Sequence, residues 1–142
     1  MSFDEKRAWI YGAITFVVAA VYFAVVLGQR ESTPVTDIAY VGPLLMAVGI
    51  AIAVNIAANV VAAVMSPEEA GQRDERDIAI RRFGQFIEYY VLVVGVVAAL
   101  GLTMAKLEHF WIANGIYLAF VMSSLLGSGA RIVGYRREVP PW

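Results

Sequence analysis

Between Asp37 and Glu68 the chain reads IAYVGPLLMAVGIAIAVNIAANVVAAVMSP, residues 38–67, thirty positions without a charge. A helix needs about 20 mostly apolar residues to cross a bilayer. Three further charge-free runs flank this one. They are Ala8 to Gln29, Tyr89 to Ala105 and Phe110 to Ala130. The runs hold strand-favouring pairs such as Val60-Val61 and Val93-Val94. In lipid the backbone must satisfy its own hydrogen bonds, so helix overrides that propensity. The pattern predicts one membrane domain over residues 1–142, an all-α integral membrane four-helix bundle. Its spans lie at about 8–28, 41–65, 85–105 and 110–130, with a polar loop at 66–84.

Composition agrees. Of 142 residues, 60% are apolar and 16% charged, against roughly 45–50% and about 25% in soluble domains. Disordered chains are charge-rich and apolar-poor, so that class is excluded. There is no cysteine, which removes disulfides and thiolate chemistry. A net charge of −1 gives no global field for direct nucleic-acid binding. The first span differs from a secretory signal. Its opening mixes both charge signs, and its apolar stretch exceeds the 7–15 residues of a typical signal core.

Basic residues give the direction. The tails and the middle loop carry Lys6, Arg7, Arg73, Arg76, Arg81, Arg82, Arg131, Arg136 and Arg137, nine of the 11 in the chain. The other two loops have only Arg30 and Lys106. The positive-inside rule then places both termini in the cytoplasm. Rings at Trp9, Tyr11, Phe86, Tyr89 and Tyr135 mark the inner boundary, and Tyr40, Phe110 and Trp111 the outer one.

Helices in lipid approach closely through small side chains. Each span has such a ladder: Ala20, Ala24 and Gly28; Gly49, Ala53 and Ala57, with Ala58 and Ala62; Gly95 and Ala99; Ser123 and Gly127, with Ser124 and Ser128. Four ladders exceed the needs of one compact bundle, which leaves room for a homodimer seam.

The middle loop has two helix starts. Ser66-Pro67-Glu68-Glu69 reads as a capping box ended by Gly71, and Asp74-Glu75-Arg76-Asp77 opens the third long helix. A helix from there to Ala105 is about 48 Å long, against a hydrocarbon core of roughly 30 Å. About three turns are expected to project, with Ile78, Phe83, Phe86 and Ile87 on an apolar side and Arg81 and Arg82 on a basic one. The acids Glu68, Glu69, Asp74, Glu75 and Asp77 suit helix N-termini and neighbouring arginines. A divalent cation is the competing use, and no aspartate-rich calcium-loop pattern is present.

Polar groups within the spans are the candidate site. Glu88 is expected at the inner boundary, level with Arg131, and the two are expected to pair across helices. Asn55 and Asn59 share a face of the second helix near the same depth. A polar cluster of Asn55, Asn59, Glu88 and Arg131 serves either as interhelical glue or as a protonatable transport site. His109 is the single histidine, so a zinc site is not expected. Asn114 is expected to cap or bridge the outer helix ends. No catalytic constellation or cofactor motif is present, and the expectation is a non-enzyme without cofactor or metal.

Asp74-Glu75-Arg76-Asp77, Phe110-Trp111-Ile112-Ala113-Asn114 and Tyr135-Arg136-Arg137, in that order, resemble a bacterial family of small four-span inner-membrane proteins of unknown function. The resemblance covers roughly residues 73–137. Some members are associated with small helix-turn-helix regulators, which implies a regulatory or sensing partnership with a cytosolic protein. The expected role is thus accessory, sensing or regulatory, through a cytoplasmic face of Asp74, Glu75, Arg76, Asp77, Arg81 and Arg82. The partners expected are the lipid bilayer, a cytosolic regulator and a second copy. The alternative is an oligomeric transporter or channel for a small solute or ion, using Glu88, Asn55 and Asn59.

Overall fold

Ser2 starts the first helix. Its side chain accepts the Glu5 amide at 3.1 Å, with Asp4 and Glu5 in the positive first turn. The structure, a computed structural model, describes residues 2–71 and 74–137. Helix α1 spans Phe3–Gly28 and gives way to 3₁₀ turns at Gln29–Glu31 and Val35–Asp37. Helix α2 spans Val41–Met65, α3 is the single turn Pro67–Gly71, α4 spans Glu75–Met104 and α5 spans His109–Arg136. All described elements are helical, and the four long helices are each long and apolar enough to cross a membrane.

The expected capping box at Asp74 is present. Asp74 accepts the Arg76 amide and donates its own amide to Asp77, both at 3.3 Å. Helix α3 begins at Pro67 and ends at Gly71 as expected. The Glu69 side chain, and Arg73, lie outside the described residues. The α4–α5 turn places Lys106 in the left-handed region, at φ 56°. The Leu107 amide bonds the Leu102 carbonyl at 3.2 Å and the Lys106 amide bonds that of Thr103 at 3.0 Å. These two bonds satisfy orphan carbonyls at the end of α4.

The long helices run antiparallel in the packing order α2, α1, α5, α4. The α4–α5 pair is the most extensive, then α1–α5 and α1–α2, while α2 and α4 share little packing. The bundle is therefore open on one side, where closure was expected. Small residues set the α4–α5 contact. Gly95 meets Ala119, Gly84 lies under Arg131, and Gly127 under Glu88. A side chain at any of these glycines would displace its neighbour.

Only some of the expected ladders are used. Ala99, Ser123, Gly127 and Ser128 are buried. Ala20, Ala24, Gly28, Gly49, Ala53 and Ala57 are exposed. Helix α1 instead packs through Ala8, Ala19, Tyr22 and Val26. The first turns of α4 pack against α5 near its end, with Ile80 buried and Arg76 donating to the Tyr135 carbonyl at 3.1 Å. The buried face there is Ile80 and Gly84, because glycine admits Arg131. Ile78 and Phe86 remain exposed.

The end bearing Arg30 and Lys106 is closed by apolar packing. Tyr22, Val26, Ile38, Ala47 and Phe110 form its core, with Tyr40 and Trp111 against it. Phe110, expected at the lipid interface, is only 2% exposed. It packs edge-on to Tyr40 and Trp111, and Arg30 sits 5.0 Å from the Trp111 ring centre. Asn114 bridges helices as expected, accepting the Tyr22 hydroxyl at 2.6 Å. His109 opens α5 and is exposed.

A polar cleft at the basic end

The start of α1 and the end of α5 lie together at the opposite, basic end of the bundle. Glu5 on α1 and Arg136 on α5 form an ion pair at 3.6 Å, and Arg136 also sits over the Trp9 ring. The long helices gather their polar side chains here around a cleft of about 340 Å³. Helix α1 contributes Asp4, Arg7 and Tyr11, α2 contributes Asn59, α4 contributes Arg81, Gln85 and Glu88, and α5 contributes Arg131 and Tyr135.

Glu88 and Arg131 pair at 2.9 Å, as expected from their matching depths. Both side chains are mostly buried, and the Arg131 Nε is enclosed with no acceptor. The Glu88 backbone carbonyl accepts the Ser123 hydroxyl at 2.8 Å, which fixes this turn of α4 against α5. Asn59 reaches the cleft but not Glu88. Its Oδ1 accepts the Arg7 Nε at 2.7 Å and ties α2 to α1. Asn55 stands apart. Its amide bonds the Ala51 carbonyl of its own helix at 2.8 Å, and its Oδ1 is buried without a partner.

The six residues of the expected cytoplasmic face divide. Asp74 caps its helix, Arg76 holds the Tyr135 carbonyl, and Asp77 is half-buried. Glu75, Arg81 and Arg82 are exposed, and Arg81 also lines the cleft. The Tyr135 hydroxyl lies beside Asp77 and Ser2. Burial, then Asp77 and Asp4, hold it well above the ordinary phenol range. Among the described residues, no three His, Asp or Glu side chains form a metal-holding group.

Arg7, Asp4, Tyr11 and Tyr135 were not among the sequence candidates. Their signal is the spacing of Asp4, Arg7 and Tyr11 on one face of α1. That face runs into the span, where Tyr11 shares a hydrogen bond with Ser124 at 3.1 Å. Comparison of the chain with known protein families, curated proteins and solved structures finds no match.

Proposed function

We propose that this chain is a small multi-pass protein of the bacterial inner membrane, with both termini and the 66–84 loop in the cytoplasm. It acts without catalysis, as an accessory or sensing protein working through its basic end. The observation that carries this reading is the asymmetry of the two ends. Polar groups from all four spans converge on a cleft at the basic end, whereas the far end is filled by Tyr22, Val26 and Phe110. Glu75, Arg81 and Arg82 stand exposed beside that cleft and suit a cytosolic protein partner. The resemblance to membrane proteins associated with small regulators supports the same partner class. A transport path is favoured less, because Asn55 does not line the cleft and the far end is closed.

Crosslinking in native membranes from a photoreactive residue at position 75 or 82, with mass identification of the product, tests the reading. Capture of a cytosolic regulator is the expected result. Self-crosslinks alone, together with solute flux lost in Glu88→Gln, overturn it in favour of an oligomeric transporter. The cysteine-free chain makes the orientation test direct. Ser2→Cys and Glu68→Cys are expected to be shielded from a membrane-impermeant maleimide in intact cells, and Ser32→Cys to react.

A further inference from the structure

We propose that the cleft at the basic end is a binding site for a phosphoryl group, from either an anionic phospholipid headgroup or a free phosphate compound. The inference rests on the reading that this end is the receptive one. The cleft wall carries three guanidinium groups, Arg7, Arg81 and Arg131, and two carboxylates, Asp4 and Glu88. The balance is one positive charge. Glu88 is committed to Arg131 at 2.9 Å. Asp4 lies 3.9 Å from Arg7, beyond hydrogen-bond reach. Arg81 has no ion pair among the described residues.

Each guanidinium has five N–H donors. Arg7 directs one to Asn59, and Arg131 directs one to Glu88. The guanidinium donors of the wall therefore outnumber the acceptors that the structure pairs with them. The three arginines come from three helices, α1, α4 and α5. Donors converging from separate directions match a tetrahedral anion better than a planar carboxylate, which a single arginine fork satisfies. The volume of about 340 Å³ exceeds what one small ion fills and falls in the range of organic-ligand pockets. The bundle is open between α2 and α4. A lipid headgroup of the inner leaflet can enter there from the side, and a soluble phosphate compound from the end.

The test uses the full chain purified in a phosphate-free maltoside detergent, with thermal unfolding followed as ligand is added. The probes are inorganic phosphate and short-chain phosphatidylglycerol, against chloride and succinate at equal ionic strength. At least one phosphate probe is expected to raise the unfolding midpoint saturably and above both controls. Response to phosphatidylglycerol alone identifies a lipid source; response to inorganic phosphate identifies a free one. Arg7→Gln and Arg81→Gln are each expected to weaken apparent affinity about tenfold, the loss of one charge-assisted contact. Arg30→Gln, at the far end, is expected to bind as the parent does. No response beyond chloride overturns the proposal, as does equal binding of succinate. So does undiminished binding by Arg81→Gln, whose exposed side chain leaves folding intact. The purified chain contains no partner. Phosphate binding without a captured regulator therefore sinks the partner reading alone, and a captured regulator without phosphate binding sinks this one alone.

Discussion

Glu88 and Arg131 meet at 2.9 Å across α4 and α5, and each lies over a glycine of the opposite helix. Glu88 covers Gly127, and Arg131 covers Gly84. The two charges are thereby held between helices that approach more closely than larger residues allow. Removing one partner of a mostly buried pair leaves the other uncompensated. Glu88→Gln is expected to destabilise the chain by about 3 kcal/mol. Replacing both by apolar residues, Glu88→Leu with Arg131→Met, is expected to recover most of that loss. Reversible unfolding in mixed micelles measures both. Equal loss in the single and double variants would show that the pair is not the source.

The glycine notches give a second, steric prediction. A Cβ at Gly127 would overlap the Glu88 side chain, so Gly127→Ala must shift Glu88 or separate the helices. The expected cost is about 1–3 kcal/mol. Gly101, on the same α4–α5 hairpin, has open space where its Cβ would stand. Gly101→Ala is expected to be neutral or stabilising by about 0.5–1 kcal/mol, since alanine loses less backbone freedom in a helix. The same unfolding assay separates the two.

The four helices were legible because charge-free runs report length directly, and α2 begins and ends at Val41 and Met65 as read. The Glu88–Arg131 pair was legible because both residues sit about the same number of turns from a boundary. Helix rotation was not. A span that is apolar all round carries no moment to say which face turns inward. Small residues lie on several faces, so the sequence alone does not separate Gly49 and Ala53 from Ser123 and Gly127. Arg7 escaped for another reason. In the sequence it is a topological charge of the tail, yet its guanidinium turns inward to Asn59. Phe110 has the position of an interface ring in the sequence, but its neighbours Tyr40 and Trp111 close around it.

Lys106 holds a conformation that L-residues rarely adopt, at φ 56°. The position serves the bonds that finish α4, and glycine fills it without steric penalty. Lys106→Gly is expected to stabilise the α4–α5 hairpin by about 0.5–1 kcal/mol. A rise in the thermal midpoint checks this. A fall would mean that the lysine side chain contributes more than its backbone costs.

The Tyr135 hydroxyl gives a pH dependence. Its pKa is raised in the folded chain above the ordinary value of 10.0, first by burial and then by Asp77 and Asp4. A phenol with a raised folded pKa stabilises the fold fully below its unfolded value. That contribution is lost as pH climbs through 10 and beyond. Stability is expected to fall over this range, and Tyr135→Phe to flatten the fall. Asp77→Asn removes a nearby negative charge and lowers the folded pKa toward 10.0, so the fall is expected to start at the same pH but to be smaller in total. Unfolding midpoints from pH 8 upward through the whole fall read all three.

The exposed ladders of α1 and α2 bear on self-association. Gly49, Ala53 and Ala57 on α2 face away from the bundle, as do Ala20, Ala24 and Gly28 on α1. Gly49 has open space where a side chain would stand, so Gly49→Leu leaves packing within one chain untouched. If these ladders form a homodimer seam, a leucine at this rung holds the two backbones apart and removes the close contact that association in lipid depends on. Gly49→Leu is then expected to lower the dimer fraction about tenfold, measured by energy transfer between labelled chains diluted in bilayers, with the unfolding midpoint of the single chain unchanged. Leu45, exposed one turn earlier, supplies the comparison. Leu45→Ala removes bulk without adding any and is expected to leave association intact. A dimer fraction that is the same in the parent and both variants would place any self-association on another face.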